Sequence, residues 1–169
     1  MQDDLTKYIA QFRSLNTNKR AGIDAPHKPI LLLAILDLVE SGAINGAKIE
    51  LTELLERAFL HTWKRYVGSS LLFQPKVATP FWHMQNEPFY QLYTNDGKEL
   101  SGSPYSVKKL RENTYAILDK DLFELMKDEN SRAQLRVVLV STYFQNQHIT
   151  PDVLLSVLAL LGTMINLAA

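Results

Sequence analysis

Leu5, Tyr8, Ile9, Phe12 and Leu15 recur at spacings of three and four, which predicts an amphipathic first helix over residues 3–14 with Asp3 or Asp4 near its cap. Residues 16–25 are polar, contain Gly22 and read as a loop displaying Lys19 and Arg20. The next segment, residues 28–41, is apolar on nearly every side apart from Asp37 and Glu40, as a central buried helix should be, and Gly42 ends it. A short alternating stretch, residues 48–51, then leads to Thr52. That threonine can cap a helix turning Leu55, Ala58, Phe59 and Trp63 inward, with Glu53 and Glu56 at its start and Lys64 and Arg65 at its end.

Residues 68–80 are polar and interrupted by Pro75 and Pro80, the pattern of a connection. Loops of that length in small domains often carry function. The aromatic, alternating segments 81–85 and 89–93 flank Asn86-Glu87-Pro88 and predict a β-hairpin. Asn95-Asp96-Gly97 closes this unit, and a polar stretch from residues 101–104 leads into Lys108, Lys109 and Arg111. One more strand is expected at residues 115–118. Helices follow to about Lys127 and over residues 129–144, with Leu135, Val138, Leu139 and Thr142 inward. The expected fold class is α+β, mostly α-helical, with a small hairpin in a winged-helix-like order. Thr150-Pro151 opens a last apolar segment, residues 153–167, too short and too interrupted for a membrane span and suited to packing on the domain or leading into a further one. The expected division is a domain over residues 1–148 followed by this C-terminal segment.

At 169 residues the chain can bury a core without staples, and its lack of cysteine removes disulfides, thiolate metal sites and a thiol nucleophile from consideration. Lys plus Arg equals Asp plus Glu at 18 each, so attraction to nucleic acid would require clustered cations. Acidic residues stand near the N-terminus where a signal peptide is basic, which makes the cytoplasm the expected compartment, with no membrane association. No two-histidine nuclease arrangement, spaced carboxylate pair or glycine-rich phosphate loop is present, so neither catalytic residues, metal nor cofactor are expected. His61, one turn before Arg65, and His148 read as packing or loop residues. The segment Ala25-Pro26-His27-Lys28-Pro29 is open to two readings: prolines that simply open a core helix with His27 and Lys28 solvated, or a candidate anion site. It sets an imidazole and an ammonium at the start of the buried helix, where unpaired N–H groups and the helix dipole favour an anion such as phosphate.

Ala-Pro-His27-Lys28-Pro-Ile-Leu-Leu-Leu and Thr79-Pro80-Phe81-Trp82-His83-Met84-Gln85-Asn86 together resemble the sulfur-binding domain of phosphorothioate-dependent, McrA-type (type IV) restriction endonucleases. The resemblance extends over most of residues 5–144. It implies recognition of double-stranded DNA in which sulfur replaces a non-bridging phosphate oxygen in the R configuration, with cutting left to an HNH nuclease domain, fused or partnering. It implies a pocket of His27, Lys28, Thr79, Pro80 and His83. The family commonly has Tyr before this proline and a small residue near the fifth position of the segment, where this chain has Thr79 and His83.

Sulfur is larger and more polarisable than oxygen and accepts hydrogen bonds poorly, so a wall of proline ring, methyl and C–H groups holds it with little lost hydration. Oxygen in such a pocket goes without donors, at about 1–3 kcal/mol. Lys28 is expected to neutralise the remaining phosphate charge and His27 to donate to the other oxygen. Gln74 and Lys76 are the candidate base readers. Lys19, Arg20, Lys64, Arg65, Lys108, Lys109 and Arg111 are the candidate phosphate contacts. Two other functions remain open: a winged-helix regulator that places helix 52–66 in the groove of unmodified DNA, and a nuclease acting alone.

Overall fold

In a computed structural model, which describes residues 2–98 and 106–145, the apolar run 30–36 becomes the centre of the molecule. It lies in α2 (His27–Glu40), every residue of which from Ile30 to Leu36 is 0% exposed. Burial on all sides explains why this helix has no polar stripe. It packs against α3 (Glu53–Tyr66), α4 (Ala78–His83), α6 (Lys120–Lys127) and α7 (Glu129–Tyr143), while α1 (Gln2–Arg13) lies against α6 and α7. Thr52 caps α3 as expected, its hydroxyl accepting from Leu55 N–H at 3.1 Å, and Asp128 caps α7 through Ser131 N–H at 2.8 Å. Tyr143 locks α1 to α7: its hydroxyl donates to Phe12 O and accepts from Leu15 N–H, each at 3.0 Å.

The strands are few. β3 (Lys48–Ile49), β4 (Tyr90–Thr94) and β5 (Thr114–Leu118) form an antiparallel sheet in the order β3-β5-β4, with α5 (Val107–Asn113) between β4 and β5. Tyr90 pairs with Leu118 and Leu92 with Ala116, which puts these four buried side chains on the core face. The chain is thus mostly helical α+β, as its periodicity indicates. The hairpin expected across residues 81–93 is not there: residues 78–83 are α4, Met84–Asn86 form a single 3-10 turn, and only 90–94 is a strand. Buried Val77, Pro80, Phe81 and Met84 recur at i, i+3, i+4 and i+7, a helical period that outweighs the β-propensity of the aromatics. Pro80 is tolerated because it falls in the first turn, where its missing N–H has no partner to lose.

A small hairpin stands instead where a loop was expected, between β1 (Lys19–Arg20) and β2 (Ile23–Asp24). Ala21 (φ 49°) and Gly22 (φ 77°) both adopt the left-handed region that a tight two-residue hairpin demands. Thr142, expected inward, is exposed. The expectations for residues 101–104, His148 and residues 149–169 lie outside the described residues. Among the described residues no helix is long and apolar enough to cross a membrane.

Candidate nucleic-acid interface

A cavity of about 380 Å³ opens where four segments meet: the 16–20 stretch, the start of α2, the 73–76 connection, and α4 with the turn behind it. All five residues singled out for a pocket, His27, Lys28, Thr79, Pro80 and His83, line it, and so do Arg20, Gln74 and Lys76. The remaining lining includes Asn16, Thr17, Asn18, Phe73 and Asn86, none of which was singled out from the sequence. They are unremarkable loop residues until the fold brings them to the α2 start. Among the described residues no aspartate or glutamate lines this cavity, although the chain as a whole balances its charges.

His27 is held rather than free. Its Nε2 stands 2.8 Å from Gln74 O, and since a carbonyl can only accept, Nε2 carries the proton. The ring packs on Trp63 and Phe73, with centroids at 4.9 and 6.0 Å. Burial, followed by the charges of Arg20 and Lys76, lowers its pKa despite the opposing hydrogen bond to Gln74, so the neutral imidazole is favoured. Here the Nε2 proton is used within the protein, and the imidazole clamps the 74–76 segment against α2. Gln74 O accepts a second bond, from Lys76 N–H at 2.9 Å, so the turn presenting both side chains is rigid. His83, partly buried beside Lys28, also has its pKa lowered, first by burial and then by that ammonium.

Lys28, expected to meet a phosphate, is paired within the protein. Its side chain is only 7% exposed, and its ammonium donates to Oε1 of Glu87, which is itself 5% exposed. The same oxygen accepts Asn16 N–H at 3.0 Å. The ion pair thus ties three walls of the cavity together, and Lys28 lines it with its charge already met by Glu87. Glu87 was read from the sequence only as a turn residue; nothing in its spacing marks it as the partner of a lysine 59 positions away.

The positive charge left at the cavity belongs to Arg20 and Lys76. Arg20 Nη1 donates to Leu72 O at 3.0 Å and its guanidinium lies over Phe73 at 5.8 Å, which holds it at the rim. Lys76 makes no ion pair among the described residues. The other expected phosphate contacts divide. Lys64 and Arg65 line a second, adjoining cavity of about 420 Å³ that likewise has no carboxylate among its described lining residues and shares Phe73 with the first. Lys19 faces Asp24 at 3.5 Å, Lys108 faces Glu112 at 3.9 Å, and Arg111 pairs with Glu56 while donating to Leu51 O at 3.3 Å. Neither these three nor Lys109 lines either cavity.

Thr79 and Pro80 occupy the first turn of α4, the hydroxyl exposed and the pyrrolidine ring largely buried at the cavity wall. A proline ring on one side, a histidine held by the Gln74 carbonyl on another and a lining with no acid among the described residues suit a large, weakly accepting anion. Residues 5–162 match the model of the ScoMcrA-like DNA sulfur-binding domain. The chain belongs to that family. No curated protein matches it in sequence. Among solved structures, the sulfur binding domain of ScoMcrA complexed with phosphorothioated DNA is similar at 19% identity and a TM-score of 0.64, covering 92% of this chain and 96% of that one. The corresponding domain of SprMcrA, also complexed with phosphorothioated DNA, aligns at 17% identity and a TM-score of 0.65 over 92% and 94% of the two chains. A structure of the sulfur binding and SRA domains of ScoMcrA with phosphorothioated DNA aligns at 16% identity and a TM-score of 0.62, over 88% of this chain and 45% of that one. At such identities the likeness of the DNA sulfur-binding domain to its neighbours is one of fold.

Proposed function

We propose that this sulfur-binding domain recognises an R-configured phosphorothioate linkage in double-stranded DNA, with the sulfur against Pro80 and the flanking backbone on Arg20 and Lys76. The observation that carries the reading is the cavity itself: among the described residues no carboxylate lines it, in a chain of zero net charge, and within its mostly polar lining the Pro80 ring offers one face that has no hydrogen-bond donor. A cation at the rim attracts any phosphate, modified or not, and contributes affinity without selectivity. Discrimination comes from the wall. There an oxygen would give up its water without finding a donor, whereas sulfur loses little, and the fixed placement of wall and rim cations around a chiral phosphorus distinguishes its two configurations. With the Lys28 charge neutralised by Glu87, the wall is less attractive to a hard phosphate oxygen than a free ammonium would make it.

Gln74, held on the clamped turn, addresses a base edge beside the modified linkage, while the neighbouring Lys76 ammonium serves the backbone. The domain acts as a reader, and cleavage belongs to an HNH nuclease fused to it or acting with it in the cytoplasm. The regulator alternative is disfavoured by the missing wing: the segment that would have supplied it is helix α4. Fluorescence anisotropy at one fixed salt concentration tests the proposal, using duplexes that carry an R-phosphorothioate, an S-phosphorothioate or a normal phosphate. Tight binding confined to the R form supports it, and equal affinity for all three overturns it.

A further inference from the structure

Leu71 is the most exposed large apolar residue described, at 104% of its reference area, and it stands on a loop built to hold it there. Gly68, at φ 64° and with its N–H on Trp63 O, ends α3 and turns the chain outward. Ser70 Oγ then accepts from both Leu72 N–H and Phe73 N–H at 3.2 Å, and Arg20 grips Leu72 O from the other side. The apex is therefore fixed at both ends while its leucine touches solvent. Beside it Leu72 and Ile23 are also partly exposed, at 36% and 45%, and the adjoining cavity, with no acid among its described lining residues, carries Lys64 and Arg65. Phe73 lines both cavities, so this apolar apex continues the proposed DNA surface and is flanked by cations on either side.

We infer that Leu71 reads the 5-methyl group of a thymine in the major groove beside the modified linkage, and so acts as a specificity-determining residue. The inference rests on the proposed DNA-binding function. Flanking cations fit the phosphates bordering a groove, and among DNA surfaces the thymine methyl is the apolar feature exposed at a base edge. The apex carries two leucines in succession and matches the major groove, about 12 Å wide, better than the minor groove at about 6 Å.

The test uses R-phosphorothioate duplexes in which thymines near the linkage are replaced one at a time by deoxyuridine, which lacks only the methyl group. With the wild-type domain, one replacement should weaken binding about fourfold, the equivalent of about 0.8 kcal/mol for one buried methyl-sized group. Leu71→Ala should bind the thymine duplex less tightly and respond to no replacement, while keeping its preference for the R-phosphorothioate. Because the side chain is wholly exposed, this variant folds as the wild type does. Wild-type binding indifferent to every replacement overturns the inference, as does a Leu71→Ala variant that still discriminates. If the wild type itself shows no preference for phosphorothioate, the proposed function fails and this inference with it; intact preference with indifference to deoxyuridine removes the inference alone.

Discussion

Replacing Lys28 with methionine removes a charge from one of the least accessible ion pairs in the molecule and leaves Glu87 with Asn16 N–H as its remaining partner. Breaking a buried pair from one side typically costs about 3–5 kcal/mol, because the surviving charge is stranded out of water. Urea unfolding at neutral pH, followed by the fluorescence of Trp63 and Trp82, should therefore show Lys28→Met destabilised by about 3–5 kcal/mol relative to wild type. Adding Glu87→Gln, which removes the stranded charge and keeps an acceptor for Asn16 N–H, should recover most of that loss. A double variant no more stable than Lys28→Met would refute the assignment of a buried charge pair and attribute the loss to packing alone.

Pro80→Ala opens the cavity wall and should weaken binding to the R-phosphorothioate about fivefold, from roughly 1 kcal/mol of lost apolar contact, while binding to unmodified DNA is unchanged in parallel anisotropy titrations. Equal losses on both substrates would remove Pro80 from the sulfur contact. Arg20→Ala and Lys76→Ala should each lower affinity for every duplex and reduce the slope of log affinity against log salt by about 1, whereas Lys108→Ala should leave that slope unchanged. His27 and His83 both have folded-state pKa values lowered by burial, so the unfolded chain binds protons that the fold resists. Their contribution to stability is complete above the unfolded value of about 6.5 and is lost as pH falls from there through the folded values. The midpoint of thermal unfolding should drop between about pH 7.5 and 5.5, and drop less in His83→Ala; the same pH dependence in that variant would exclude His83 as a contributor.

The sequence by itself determined what depends on neighbouring residues. The 3.6-residue spacing of Leu5, Tyr8 and Phe12, the unbroken apolar run of α2 and the Thr52 cap were legible because helical period and capping are local physics. The pairing of His27-Lys28 with Thr79-Pro80 marked the family and two walls of the cavity, because both are short motifs at element starts. Around residues 81–85 local reading failed: aromatic β-propensity competed with a helical burial period that only packing against α2 decides. Tertiary structure alone decided how the charges are used. It joined Lys28 to Glu87 and Arg111 to Glu56, and it committed the His27 proton to Gln74 O. It brought Arg20 and Lys76 to the cavity lining beside the paired Lys28. A charge's role depends on which opposite charge lies within a few ångströms and how much water remains between them, and partners 47 to 59 positions apart leave no periodic trace along the chain.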